Sequence, residues 1–327
     1  MEYSCVELND LPDEILLIIF KKLDNLELLY SFQGVNERLK KIIHDQTFTS
    51  RLSFLNRSFN KFINKFSSNI ILNEFCLQIL PKIRTKIEWL DLESESMKHI
   101  LDAADYPNLY ALGLYNIEEE TAKCLFTVLF MYLDERLSSS MFKNQITTLI
   151  ITIDPDKQER STIANICNYI FTVFTNLTHL TFYDAAYMNN IRLLFNIPSS
   201  SFSSSSLLVL NIKVQTFDMC LYLLDGRFEQ LRTLYTELAN ILSPSEIENQ
   251  RKIPNLKSFV LSCMARTFYY NELILPLIYR MSNLEELDIL NHMLQLKQFA
   301  FDIRSIMSIK NQMDLPSKED IQQFTIY

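Results

Sequence analysis

The first 45 residues alternate apolar and polar positions at the period of a helix. In "LPDEILLIIFKKL", residues 11–23, five apolar side chains share one face at 3.6 residues per turn: Ile15, Leu16, Ile19, Phe20 and Leu23. Leu17 and Ile18 lie outside this stripe. A helix that is apolar on more than one face needs a second cover besides its own domain, so the pattern predicts that something else packs on it.

Two further short helices are predicted after this one. Asp24-Asn25 interrupts the pattern, and Asn25 is expected to cap a helix over residues 26–33 that Gly34 ends. Asn36 is expected to cap a third helix, whose apolar positions are Val35, Leu39, Ile42 and Ile43. The sequence therefore predicts a unit of three helices, near the lower size limit for independent folding.

Beyond residue 85 the apolar residues occupy positions one, four and six of a six-residue window. The windows are "IEWLDL" from Ile87, "LYALGL" from Leu109, "ITTLII" from Ile146, "LTHLTF" from Leu177, "LLVLNI" from Leu207, "LKSFVL" from Leu256, "LEELDI" from Leu284, "IQQFTI" from Ile321 and, at two positions of three, "LRTLYT" from Leu231. Their starts lie 22 to 37 residues apart, as in stacked repeats. Helical periodicity between them predicts parallel strands backed by helices.

These patterns divide the chain into residues 1–45, a helical linker over 46–85 and a repeat region over 86–327. The linker contains the basic and aromatic segment "RLSFLNRSFNKFINKF", whose phenylalanines we expect to pack against the first repeat. No polar covering unit follows the last window. We therefore expect the sequence to be truncated at the C-terminal end of the repeats.

The amino-acid composition limits the partners and the kinds of chemical site that the chain is expected to have. The net charge is -8, with 31 Lys and Arg against 39 Asp and Glu, which disfavours nucleic acid as a partner. No apolar run reaches the length of a membrane span, so no membrane contact is expected. Three glycines, four histidines and six cysteines are dispersed, and their spacing forms no phosphate loop, metal site or Cys–His pair. We expect no cofactor, no metal, reduced thiols and a cytoplasmic or nuclear location.

Residues 8–45 resemble an F-box. The resemblance rests on Leu11-Pro12, Glu14-Ile15-Leu16, Ile19-Phe20, Leu23, Leu28-Leu29, Val35 and Leu39. It implies that this segment docks the Skp-type adaptor of a cullin-RING ubiquitin ligase. The adaptor contacts implied by the resemblance are Leu11, Pro12, Ile15, Leu16, Ile19 and Phe20.

The windows resemble the strand segments of irregular leucine-rich repeats. This implies an α/β chain: a three-helix F-box followed by an irregular leucine-rich-repeat solenoid, with a parallel concave sheet and helices on the convex face. Alternate strand residues point away from the core, so positions three, five and seven are predicted to bind a target protein. These positions hold Trp89, Tyr115, His179, Tyr183, Tyr235 and Glu286, together with Asp91, Glu93, Lys213, Glu237 and Asp288.

Together the two resemblances imply a substrate-recognition subunit of a Skp-cullin-F-box ubiquitin ligase. Such a subunit is not an enzyme, because its partners supply the catalysis. Two alternatives stay open from the residues alone. The chain is a repeat scaffold or inhibitor without a ligase role, or it is an enzyme whose site assembles from dispersed residues.

Overall fold

A computed structural model describes residues 8–55, 69–117, 144–153, 170–171, 173–184, 203–241, 252–263 and 269–291. The chain divides into two compact units, Met1–Asn189 and Asn190–Tyr327, which are described separately. Each unit consists of parallel strands with helices in the connections, so the chain is of the α/β class.

Unit 1 begins with short helices: α1 Asp13–Phe20, α2 Asn25–Phe32, α3 Glu37–Ile43 and α4 Gln46–Thr49, preceded by a 3-10 turn over Leu8–Asp10. The caps of α2 and α3 decide where they start. The Asp24 carboxylate accepts from Leu26 N at 2.9 Å, and the Asn36 side chain accepts from Leu39 N at 2.8 Å. The predicted cap is confirmed at Asn36. At Asn25 it is wrong by one residue, because Asp24 takes that role.

The four helices enclose one apolar core. Its members are Leu16, Phe20, Leu26, Leu28, Leu29, Leu39, Ile42, Ile43 and Phe48. The Phe20 ring lies 5.0 Å from the Phe32 ring and meets Phe48 edge-on at 6.4 Å. The apolar stripe predicted on α1 is therefore not one buried face. Leu16 and Phe20, four residues apart, fill the core, and the rest of the stripe is exposed.

The sheet of unit 1 follows these helices. Its strands are β1 Arg51–Phe54, β2 Trp89–Glu93, β3 Ala111–Ile117, β4 Thr148–Ile153 and β5 His179–Asp184. Each strand pairs in parallel with the next. The described helices between strands are α5 Asn69–Gln78, α6 Leu80–Ile83 and α7 Ser94–Ala103, with a 3-10 turn over Arg84–Lys86.

The described residues of unit 2 repeat the arrangement with four strands. They are β6 Val209–Val214, β7 Thr233–Leu238, β8 Ser258–Cys263 and β9 Glu286–Asn291, each parallel to the next. The connections contain α8 Phe217–Leu223 and α9 Leu275–Tyr279, the latter after a π-helical turn over Tyr270–Ile274.

The predicted windows are confirmed where the structure describes them. Each of β2 to β9 begins at the third residue of its window, from Trp89 in β2 to Glu286 in β9. Positions one, four and six are buried from β2 through β8 and are buried or half-buried in β9. Paired strands align equal window positions, so their side chains form rows across each sheet. The window "IQQFTI" lies outside the described residues.

Strand β1 was not predicted. It lies in the segment interpreted as a helical linker, which also contains α5 and α6. Its window is "TSRLSF" from Thr49, and Arg51 pairs with Trp89, which makes Arg51 a third-position residue. Position one holds a buried threonine, whose hydroxyl donates to Asp45 O at 2.9 Å. A search for an apolar residue at position one therefore misses this strand.

Candidate functional site

The outer face of α1 is a continuous apolar surface. Ile15, Ile18 and Ile19 are three and four residues apart, so they lie on one side of the helix. Their exposures are 42%, 59% and 38%, whereas Leu16 on the opposite side is fully buried. Leu23 and Val35 are also exposed. We call Ile15, Ile18 and Ile19 the α1 face.

The segment leading into α1 is held by α3. The Arg38 guanidinium donates to Leu11 O at 2.6 Å and to Asn9 O at 2.7 Å, and its Nε donates to the Asp13 carboxylate at 2.8 Å. Asn36 Nδ2 donates to Asn9 Oδ1 at 2.8 Å. Leu11, half-buried, and Pro12, exposed, are therefore fixed beside the start of α1.

The strand face of unit 1 has a buried carboxylate on β2, between β1 and β3. The Asp91 side chain is 3% exposed, and its Oδ2 accepts from Arg51 at 2.9 Å. Its Oδ1 accepts from Trp89 Nε1 at 2.8 Å and from the Tyr115 hydroxyl at 3.3 Å. The Arg51 guanidinium also stacks 4.2 Å from the Trp89 ring centre. We call Arg51, Trp89, Asp91 and Tyr115 the Asp91 cluster.

Gly113 makes the Asp91 cluster possible. It pairs with Asp91 across β2 and β3, and a Cβ atom there would collide with Asp91 Oδ1 and Tyr115 Cε2. The missing side chain leaves the space in which the carboxylate and the phenol meet. Asp91 was predicted to face a target, but it is buried because its neighbours Trp89, Tyr115 and Arg51 cover it.

The other predicted residues of unit 1 are placed differently. His179 is exposed on β5, and its Nδ1 lies 2.9 Å from the Thr178 hydroxyl. Glu93 is half-buried at the end of β2 and accepts from Asn116 Nδ2 at 3.2 Å. Tyr183 lies on β5, and its side chain is outside the described residues. Trp89 and Tyr115 come together in the Asp91 cluster, whereas His179 is three strands away from Trp89 in the same row.

In unit 2 the predicted residues form polar pairs across neighbouring strands. Lys213 Nζ lies 3.2 Å from the Glu237 carboxylate, and Ser258 donates to Glu286 at 2.8 Å. Tyr235 is 38% exposed in the middle of β7, and Asp288 is exposed on β9. Among the predicted residues of this face, Tyr235 is an exposed aromatic ring and the others are charged.

A comparison with protein families matches residues 8–51 to the F-box domain. These residues are an F-box domain. The match covers α1 to α4 and ends at Arg51, the first residue of β1. A search of the curated proteins found no match to this chain.

The six residues expected to contact an adaptor are divided by the F-box fold. Leu11, Pro12, Ile15 and Ile19 are at least partly exposed. Leu16 and Phe20 are buried in the F-box core, which corrects their assignment to the docking surface. Ile18, the most exposed apolar side chain of α1, was left out of the prediction. The sequence did contain a signal for Ile18, because it lies outside the apolar stripe of α1. An isoleucine outside the stripe does not pack in the F-box core and is therefore exposed.

Chemical sites of other kinds are not supported by the residues that the structure describes. No three His, Cys, Asp or Glu side chains within those ranges are grouped as metal ligands. Burial raises the pKa of the Cys76 thiol to about 11 and that of Cys220 to about 12, so both are protonated at neutral pH. In the described part of the chain, no helix is long and apolar enough to cross a membrane.

Proposed function

We propose that this chain is the substrate-recognition subunit of a Skp-cullin-F-box ubiquitin ligase. The F-box domain at residues 8–51 supports a role in binding a Skp-type adaptor. The observation that carries the proposal is the α1 face, because three exposed isoleucines lie on a helix whose opposite side already fills the F-box core. Burying such side chains against a partner is favourable.

The adaptor surface that we propose consists of the α1 face with Leu11 and Pro12 at its start. Arg38 and Asn36 hold this start in place through their contacts with Asn9 and Leu11. Because this backbone is already fixed, less conformational entropy is lost when the adaptor binds. Leu16 and Phe20 contribute by supporting α1 from the core and not by contact with the adaptor.

The target-binding part of the proposal lies in residues 86–327, as an irregular leucine-rich-repeat region. Its candidate residues are His179 in unit 1 and Tyr235 and Glu286 in unit 2, which are exposed on strand faces. Trp89 and Tyr115 are weaker candidates, because they already cover Asp91. Tyr183 remains a candidate by its place on β5. An exposed tyrosine in a polar surround is a common anchor of protein interfaces.

Catalysis in this proposal belongs to the partners. F-box proteins are generally non-catalytic receptors, and the protonated Cys76 and Cys220 thiols are poor nucleophiles. The chain would hold the target close to a conjugating enzyme and raise its effective concentration. A cytoplasmic or nuclear location is part of the same proposal.

Calorimetric titration of the full chain with a purified Skp-type adaptor tests the F-box half. We expect saturable binding of one adaptor per chain. The matched variant is Pro12→Ala with Leu11→Ala, which removes two side chains beside α1 and should weaken binding at least tenfold. Absence of binding by the unmodified chain would remove the ligase proposal and favour the scaffold alternative.

Capture of target proteins tests the repeat half. Proteins that co-purify with the full chain are identified with and without proteasome inhibition, and the captures are repeated with Tyr235→Ala and with His179→Ala. We expect a target that accumulates under inhibition and is lost with at least one of these variants. A target captured equally by both variants and unaffected by inhibition would contradict the receptor role and support a scaffold or inhibitor.

A further inference from the structure

The F-box and the sheet of unit 1 share residues. Thr49 ends α4 and is also the first position of the β1 window, and Arg51 ends the F-box match and also begins β1. Leu52 and Phe54, the next two inward-facing residues of β1, are buried. The last turn of the F-box therefore continues into the first strand without an intervening linker.

The F-box also covers the outer edge of β1. Strand carbonyls alternate in direction, and Ser50 O accepts from Trp89 N on the β2 side at 2.9 Å. On the opposite side, Arg51 O accepts from Asn25 Nδ2 of α2 at 3.0 Å. Helices α2 and α4 pack against β1. An F-box helix thus satisfies an edge carbonyl that a neighbouring strand would otherwise bond.

Further contacts join the F-box to the segments that flank the sheet. Lys86 Nζ donates to His44 O at 2.6 Å, and Gln46 Nε2 donates to the Glu88 carboxylate at 2.6 Å. The Tyr30 hydroxyl donates to Glu74 of α5 at 3.0 Å. The ion pair of Arg51 with Asp91 adds a contact on the strand face. These contacts join the F-box to α5, to the segment before β2 and to β2 itself, so they restrict bending between the F-box and β2.

We infer that the F-box has a second function, as the N-terminal cap of the strand stack of unit 1. A stack of parallel strands needs a unit that covers its first strand, and a helical unit of about forty residues needs support to fold. The F-box covers the first strand, and packing against that strand supports the F-box helices. The F-box and β1–β3 then unfold together, and the α1 face keeps a fixed orientation to these strands. The inference does not depend on adaptor binding.

The single tryptophan of the chain gives a direct test, because Trp89 lies on β2 and reports the sheet of unit 1. Urea unfolding of the full chain is followed by Trp89 fluorescence and by hydrogen exchange of residues 13–20 in α1. The test variant is Leu16→Ala, which empties a buried site in the F-box core. The matched control is Ile18→Ala, which truncates an exposed side chain on the same helix.

A capping role predicts that Leu16→Ala lowers the urea midpoints of both probes together, by about 1 M. Ile18→Ala should leave both midpoints within about 0.2 M of the unmodified chain. If the α1 midpoint falls while the Trp89 midpoint stays in place, the F-box is an independent module and the inference is wrong. Leu16→Val covers the case in which Leu16→Ala does not fold, with a smaller joint shift expected and the same contrary result.

Discussion

The α1 face and the Asp91 cluster are both on the surface of unit 1, but they are built in opposite ways. The α1 face has three aliphatic side chains that make no polar contacts and are 38% to 59% exposed. The Asp91 cluster has polar and aromatic side chains that bind one another around a buried carboxylate. The first arrangement gains free energy only when something covers it, whereas the second is already satisfied. We therefore expect substitutions to affect binding at the α1 face and stability at the Asp91 cluster.

The largest effect is expected at the α1 face. Replacement of Ile15 and Ile18 by aspartate places two charges in the proposed adaptor interface and should cost about 4 kcal/mol of binding free energy, roughly a thousandfold in Kd. Unfolding free energy should change little, because both side chains are exposed. Calorimetry with the purified adaptor measures the affinity. The matched control is Leu77→Asp on α5, which is 77% exposed and lies outside the F-box. Equal loss in the control would refute a specific surface.

The next effect is expected at Gly113. A Cβ atom there would displace Asp91 and Tyr115, so Gly113→Ala should lower the free energy of unfolding by about 2 to 3 kcal/mol. Gly34→Ala is the control, since no atom lies within 4 Å of the corresponding Cβ position. Urea titration followed by Trp89 fluorescence compares the two. Equal stabilities would mean that the cluster rearranges at no cost.

A smaller effect is expected at Arg51. Arg51→Ala removes the Arg51 donor from the buried Asp91 carboxylate, leaves the Trp89 and Tyr115 donors, and should cost about 1 to 2 kcal/mol of unfolding free energy. Lys40→Ala removes an exposed ion pair with Glu37 and should cost less than about 0.5 kcal/mol. The comparison uses chemical denaturation. A Lys40 variant that loses as much stability as the Arg51 variant would contradict the distinction between buried and exposed carboxylates.

The smallest effect is a pH dependence at His44, at the end of α3. Burial, followed by the charges of Lys86, Lys40 and Lys82, lowers the pKa of this imidazole, and Glu37 opposes the shift. The unfolded chain then binds the proton more tightly. The contribution of neutral His44 to stability is therefore present above pH 6.5 and is lost as the pH falls from there through the lowered pKa of the folded state. His44→Leu cannot titrate. We expect its stability, relative to the unmodified chain, to improve between pH 7.5 and about 5. The free energy of unfolding of both proteins is measured by urea titration across this pH range. A difference between them that stays the same at every pH would show that His44 does not contribute to the pH dependence.

The strands were predictable because their signal is local and repeated. Leucine, isoleucine or phenylalanine at positions four and six must be buried on one face, and a period of two fixes which face that is. The prediction missed β1 because position one of its window holds Thr49, whose hydroxyl is satisfied by Asp45 O, in place of an aliphatic side chain. A local hydrogen bond, to a carbonyl four residues earlier in the chain, makes Thr49 acceptable in the core.

The candidate sites were predictable only in outline. Sequence spacing brought Ile15, Leu16, Ile19 and Phe20 into one stripe, but only the packing of α2 and α3 decides which of them the core takes. Asp91 was assigned to solvent by strand alternation. It is buried because Arg51, 40 residues earlier, and Tyr115, 24 residues later, close over it. Gly113 was the one local signal, since a glycine inside a strand often marks a close approach of side chains.

The continuation of the F-box into β1 changes what can be exchanged between proteins by recombination. A replacement that ends at Asp45 would separate Asn25 from the Arg51 carbonyl that it bonds and would join foreign helices to the native "TSRLSF" window. A replacement that ends after Phe54 would carry the strand with its helices but would need a new partner for Asp91. The segment that has to be exchanged as a whole therefore consists of the F-box helices and β1, together with both partners of the Arg51–Asp91 ion pair.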